Sequence, residues 1–210
     1  EKVCDTIIYH GIGKKVSHAH MISPDPTDKL IYVTDLGLDR IMIYTLDKVN
    51  GKLIPLNEDG ISLSPGTGPR HFVFNERGSI LYVIGELGST VSVFNVVEKA
   101  GLKLAQTIST RNEKYSGANY CADLHIGKTG LFLYGSNRGE NSIVTFKIEK
   151  DGYLSLAGHT DCGGNWPRNF VIDPSGKYIL VGNQKSANVA IMKIDKKSGI
   201  PTMVTQNVNL

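Results

Sequence analysis

Arginine, glutamate and histidine recur in this chain at spacings suited to chemistry on an anion. Arg70 stands just before the apolar run Phe72-Val73-Phe74, and Glu86 follows the apolar run from Ile80 to Ile84. If the two runs pair as an antiparallel hairpin, both charges lie at one end of it, because the chain goes out and comes back. Arginine suits bidentate grip on phosphate or carboxylate. A glutamate beside arginines stays ionised and can orient water or a cation. A histidine such as His20 titrates near neutrality and suits a general base.

The elements that must carry these residues repeat. Segments of turn followed by apolar strand recur at about a fifty-residue period, the size of a propeller blade. Val33, Val83, Gly135 and Val181 serve as anchors. Five residues before each lies a turn residue (Asp28, Gly78, Gly130, Gly176), and eight after each begins a second strand (Ile41, Val91, Ile143, Val189). That second strand alternates as a half-buried strand should. A Gly-containing turn follows (Asn50-Gly51, Ala100-Gly101, Asp151-Gly152, Ser198-Gly199), then a more polar strand suited to an outer edge. The expectation is an all-β chain, a β-propeller of four-stranded antiparallel blades, forming a single domain with repeats at about 16–64, 65–114, 115–162 and 163–210. Thr6-Ile7-Ile8-Tyr9 reads as the outer strand of a preceding blade.

Residues needed only by the blade should be alike in every copy. Two positions are not. Thirteen before the anchors stand His20, Arg70, Ala122 and Arg168; three after them stand Leu36, Glu86, Arg138 and Gln184. Both positions fall on one side of the hairpin, so their side chains can converge on a central funnel. One explanation is a set of solvated charges or interblade salt bridges. The other is a polar pocket that binds an anion and moves a proton; three Arg, one Glu and one His at scaffold-equivalent positions are hard to explain as packing, since charges are costly to bury unless paired. His71 follows Arg70 and by alternation faces the opposite way as a hydrogen-bonded core histidine, yet it adjoins the site and joins Arg168 and Gln184 as a substrate-binding candidate. Asp123 and His125 are structural or line the pocket. Trp166 packs, or walls a ligand pocket. His18 and His20 share a strand face but no third ligand is evident, so neither a metal nor another cofactor is expected. There is no Gly-x-Ser-x-Gly elbow, Walker loop or dinucleotide fingerprint.

The 210 residues, 40% hydrophobic and 20% charged, suffice for a sizeable core. A net charge of +3 without basic blocks argues against nucleic acid. No apolar run approaches a membrane span. Cys4, Cys121 and Cys162 are far apart and odd in number, which reads as inert thiols in a reducing compartment, the cytoplasm.

Ser17-His18-Ala19-His20, the stretch Val33-Thr34-Asp35-Leu36-Gly37-Leu38-Asp39-Arg40, Gly68-Pro69-Arg70-His71, Glu86, Ser136-Asn137-Arg138-Gly139 and Pro167-Arg168-Asn169-Phe170 together resemble the lactonase family of seven-bladed propellers. That family includes the propeller-type 6-phosphogluconolactonases and the carboxy-cis,cis-muconate lactonizing enzymes. The resemblance implies a ring of seven blades of which this chain holds about the C-terminal four, with the remaining blades supplied by a missing N-terminal part or by self-association. It implies a site in the central channel with His20, Arg70, Glu86 and Arg138 as catalytic residues and Arg168 on the substrate anion. The leading expectation is hydrolysis of an anionic lactone, 6-phosphogluconolactone to 6-phosphogluconate. Either His20 or Glu86 activates water, and Arg70 and Arg138 stabilise the oxyanion. The alternatives are cyclisation of a muconate to a lactone and a non-catalytic ligand-binding propeller, the latter favoured if the charged positions pair with each other and leave no cavity.

Overall fold

The structure, a computed structural model, describes residues 5–11, 13–97 and 101–209. Cys4 and Ala100 lie outside these residues. The described residues form strands and turns with no helix. Four antiparallel sheets follow one another along the chain. The first comprises β1 (Ala19–Pro24), β2 (Ile31–Asp35), β3 (Arg40–Asp47), β4 (Lys52–Pro55) and β5 (Ile61–Ser62). β4 and β5 both pair with β3, so the outer strand of this blade is split in two. The second runs β6 (Pro69–Phe74), β7 (Ile80–Gly85), β8 (Thr90–Val97) and β9 (Gly101–Ser109). The third runs β10 (Tyr120–Ile126), β11 (Phe132–Arg138), β12 (Ser142–Ile148) and β13 (Leu154–Asp161). The fourth runs β14 (Pro167–Ile172), β15 (Tyr178–Asn183), β16 (Asn188–Ile194) and β17 (Pro201–Asn209). The first strands stand side by side, β1 against β6, β6 against β10, and β10 against β14. They therefore form one inner wall.

The turn residues fall where the repeat requires them. Asp28, Gly78, Gly130 and Gly176 all have positive φ, between 55° and 72°. A second recurrent position, six after each anchor, holds Asp39, Ser89, Asn141 and Ala187 at φ of 51° to 57°. It turns the second strand of each blade into the third.

The core lies between blades. One cluster joins Tyr82, Ile84 and Val93 of the second blade to Leu124, Leu133 and Phe146 of the third. Another joins Tyr134 and Ile143 of the third to Phe170, Ile179 and Met192 of the fourth. Each large apolar side chain so buried contributes about 1.5–3 kcal/mol. Tyr82 and Tyr134 also reach across, donating hydrogen bonds to the carbonyls of Gly152 and Gly199 at 2.8 and 2.9 Å. This stacking corrects the half-buried expectation for the strands that begin eight after the anchors, which are the third strands of their blades. Residues 41–44, 91–94 and 143–146 are buried throughout: neighbouring blades cover both faces of 91–94 and 143–146, whereas 41–44 are covered by the second blade on one face and by Tyr9 and Leu53 on the other. In the fourth blade, covered on one face by the described residues, the alternation survives in β15 and β16.

Thr6-Ile7-Ile8-Tyr9 is not a strand. It has no ladder partner among the described residues; the segment is tied to the first blade by Tyr9 Oη and Tyr44 Oη at 2.6 Å and by the Leu53 N–H to the Asp5 carboxylate at 2.9 Å. Among the described residues no helix is long and apolar enough to cross a membrane.

Candidate functional site

Each inner strand is broken at the same place. The ladder slips by one residue between Ala19 and Met21, Pro69 and Phe72, Cys121 and Leu124, and Pro167 and Asn169. His20, Arg70, Ala122 and Arg168 are therefore bulge residues. A bulge leaves its extra residue unpaired and re-aims side chains, which is why bulges gather beside functional sites. This overturns the opposite-face expectation for His71. Arg70 and His71 both lie in the irregular stretch, and Arg70 Nη1 donates to His71 Nε2 at 3.3 Å.

Glu86 binds the centre of the cluster. Its Oε2 lies 2.9 Å from Arg70 Nε and 2.7 Å from Arg138 Nη2. The first is an ion pair whose N–H direction misses hydrogen-bond alignment, leaving Nε sealed from solvent with no aligned acceptor. Both arginines are almost wholly buried, at 3% and 4% exposure. Backbone carbonyls hold them from behind: Arg70 Nη1 donates to Ala122 O, and Arg138 Nε and Nη2 donate to Tyr120 O and Cys121 O at 3.1 and 2.8 Å. Arg70 Nη2 and Arg138 Nη1 make no hydrogen bond among the described residues and are not sealed. Each guanidinium thus keeps one terminal nitrogen without a hydrogen-bond acceptor among the described residues. Burial, then the neighbouring Arg138 charge, pull the Arg70 pKa down to about 10 against the attraction of Glu86, so it stays cationic at neutral pH. Gly139, at φ 114°, lets the chain turn directly after Arg138, where a Cβ would run into the Ala118 carbonyl oxygen.

His20 borders the cluster, its ring 5.1 Å from that of His71. Its pKa falls to about 4, first through burial and then through the nearby Arg70, with His71, Arg168 and Arg138 adding to the effect. The imidazole is therefore neutral at pH 7 and able to accept a proton. Its Nδ1 is sealed without a partner, which leaves Nε2 as the working nitrogen. Because the unfolded chain binds this proton near pH 6.5 and the folded one near 4, the unfolded state holds more protons between those values. Stability is expected to fall as pH drops from 6.5 to 4, and His20→Asn should flatten that part of a melting-temperature profile. An unchanged slope would remove His20 as its source.

Asp123, left open between two roles by the sequence, is the buried support of the site. At 2% exposure it accepts bonds from His71 Nδ1 (2.7 Å), His125 Nε2 (3.1 Å), Asn169 Nδ2 (2.6 Å), Phe170 N (3.0 Å) and Leu124 N (3.0 Å). Since Arg70 can only donate, His71 Nε2 accepts and Nδ1 carries the proton given to Asp123. The chain Asp123, His71, Arg70 fixes the guanidinium. The sequence signal for Asp123 was its place beside Ala122, inside the bulge. Arg168 is exposed, and its charge acts on both His20 and Arg70. Gln184 is exposed and its side chain makes no hydrogen bond among the described residues; its N–H donates to Trp166 O at 2.9 Å. The structure thus brings His20, Arg70, His71, Glu86 and Arg138 together, sets Arg168 near them, and shows no hydrogen bond from the Gln184 side chain to any of them among the described residues. Among the described residues no group of three or more His, Cys, Asp or Glu is disposed to hold a metal ion.

Four stacked antiparallel sheets whose bulged first strands form one wall, with a buried arginine–glutamate–arginine cluster beside it, define a β-propeller. The chain belongs to the family described as lactonase, 7-bladed beta-propeller, whose model matches residues 9–210. It is 38% identical over 208 residues to a 6-phosphogluconolactonase of Formosa agariphila, covering 95% of this chain and 58% of that protein. A 6-phosphogluconolactonase of Serratia proteamaculans is 35% identical over 182 residues, covering 86% of this chain and 54% of that one. Among solved structures, the periplasmic gluconolactonase PpgL of Pseudomonas aeruginosa superposes with a TM-score of 0.84 at 28% identity, covering 90% of this chain and 53% of that one. The chain therefore spans somewhat more than half the length of these relatives.

Proposed function

We propose that the protein containing this chain hydrolyses an anionic sugar lactone, 6-phosphogluconolactone to 6-phosphogluconate, and does so in the cytoplasm. The observation that carries the reaction is the pair of buried guanidiniums held by one Glu86 oxygen beside a neutral His20. The pairing of charged positions also fits a binding propeller. It leaves, however, a surplus positive charge, two unused N–H donors and a proton acceptor, which is the set that ester hydrolysis needs. The names of the relatives support the substrate, and buried free thiols at Cys121 and Cys162 accord with a reducing compartment.

In this reading His20 Nε2 takes a proton from water as its oxygen bonds to the lactone carbonyl carbon. The carbonyl electrons move to oxygen, and Arg70 Nη2 and Arg138 Nη1 donate to that oxyanion. Preorganised donors of this kind contribute about 3 kcal/mol each. On collapse the ring C–O bond breaks, and the proton held by His20 passes to the leaving oxygen. Glu86 holds both guanidiniums through Oε2 rather than activating water. The test is hydrolysis of 6-phosphogluconolactone at neutral pH by the full-length protein, with spontaneous opening subtracted. A rate above background that His20→Asn lowers about a hundredfold is expected. No rate above background from folded, full-length protein would sink the proposal.

A further inference from the structure

Six non-glycine residues have positive φ among the described residues, and five occupy the two recurrent turn positions. The sixth is Trp166, at φ 70°. A bulky residue in that region is strained. The repeat shows what the scaffold prefers there. Fifteen before the anchors stand His18, Gly68, Tyr120 and Trp166. Gly68, at φ 60°, has the same backbone setting: Glu86 N donates to Gly68 O at 2.8 Å, as Gln184 N does to Trp166 O at 2.9 Å. Leu87 N donates to Thr67 O at 3.2 Å, as Lys185 N does to Asn165 O at 3.0 Å. Glycine adopts this turn without strain, so the fold has no need of an indole here. A strained backbone held at both ends, with Trp166 N also donating to Asn141 Oδ1 at 2.9 Å, presents that indole for another purpose.

What surrounds the ring gives the purpose. Lys185 Nζ lies 3.3 Å from the centroid of the ring, and Arg138 Cζ lies 5.7 Å from it. Tyr120, from the equivalent place in the next blade and 38% exposed, meets Trp166 at 6.1 Å. In the second blade the lysine position is Leu87, packed over Gly68, so the cation too is a departure from the scaffold. The Lys185 ammonium has no carboxylate partner among the described residues. The ring fixes a normally wandering ammonium beside the guanidinium that serves the reacting end. Two cations on one ring repel each other unless an anion lies between or beside them.

We propose that Trp166, Tyr120 and Lys185 form a rim subsite for the phosphate-bearing, non-reacting end of the substrate, the aromatic faces packing on its carbon chain and Lys185 meeting the phosphate. The subsite makes the protein prefer phosphorylated over unphosphorylated lactones; this preference rests on the lactonase reading, whereas the binding site does not. Contacts made equally in the ground state and the transition state act on KM and leave kcat nearly unchanged, and a phosphate held at a rim away from the reacting carbonyl is proposed to bind in this uniform way.

Trp166 is the one tryptophan of these 210 residues, which allows a direct test on the full-length protein. Fluorescence is titrated with 6-phosphogluconate and with gluconate, Trp166→Phe identifying the Trp166 signal. 6-Phosphogluconate is expected to bind at least tenfold more tightly than gluconate, and Lys185→Met to bring that ratio close to one. Trp166→Gly is expected to fold, as Gly68 does in the same setting, and to raise KM for the phosphorylated lactone about tenfold with a much smaller change in kcat. An undiminished ratio in Lys185→Met overturns the subsite, even if the lactone is hydrolysed. A Lys185-dependent ratio in a protein that hydrolyses no lactone keeps the subsite and overturns the lactonase reading alone. Equal binding of the two acids by the wild type overturns the subsite outright.

Discussion

Glu86→Gln in the full-length protein should lower both stability and turnover. Two guanidiniums, at 3% and 4% exposure, share its Oε2 at 2.9 and 2.7 Å, and no other carboxylate among the described residues is paired with either. Replacing the carboxylate leaves two like charges close together and shielded from water. Breaking a buried ion pair from one side costs about 3–5 kcal/mol, and Glu86 keeps 19% of its side chain exposed, so about 3 kcal/mol is expected. In urea unfolding this appears as a lower midpoint at unchanged slope. Turnover should drop by about two to three orders of magnitude, because both oxyanion donors lose their anchor. The Arg70→Met and Glu86→Gln double variant removes one of the stranded charges and should be more stable than Glu86→Gln alone. Wild-type midpoint and turnover in Glu86→Gln would show that the guanidiniums are held by the carbonyls of Ala122, Tyr120 and Cys121 instead.

Asp123→Asn is the second large effect. Burial alone would raise the pKa of this carboxyl, but bonds from His125 and His71, the His125 charge and the Phe170 N–H outweigh it and hold it far below the carboxylate range. An amide keeps the shape but turns one acceptor into a donor facing His71, Asn169 or a backbone N–H. The cost is about 2–4 kcal/mol. The pH signature has a definite sign. The folded pKa is depressed, so this stabilisation is complete above the unfolded value of about 4 and is lost as pH falls below it. The wild type should therefore lose stability in two windows, from 6.5 to 4 through His20 and below 4 through Asp123. Asp123→Asn should flatten only the lower one. Thermal melts across pH 2 to 7 on both variants separate the two groups. In addition, Asp123→Asn should lower kcat by loosening His71 and hence Arg70. If the low-pH slope persists in Asp123→Asn, the acid sensitivity belongs to other carboxylates.

Much of the molecule was legible in the residues. Asp28, Gly78, Gly130 and Gly176 sit where the repeat placed them because a tight turn needs positive φ, and few residues supply it. The blades followed from spacing. So did the uneven charge at equivalent positions, since comparison among copies cancels whatever the scaffold demands and leaves Arg70, Glu86, Arg138 and Arg168. Tertiary structure decided the rest. Strand alternation assumes an unbroken ladder, and a single extra residue in each inner strand turned His71 toward Arg70 and put Asp123 beneath both. The burial of residues 91–94 on both faces comes from neighbouring blades, which no local pattern records. Glu86 and Arg138 belong to different blades, so their meeting depends on how the sheets pack. The unusual setting of Trp166 became visible only when its φ could be set beside that of Gly68. Local chemistry fixes turns and periods because it acts within a few residues; a site assembled from several blades is fixed by the ring.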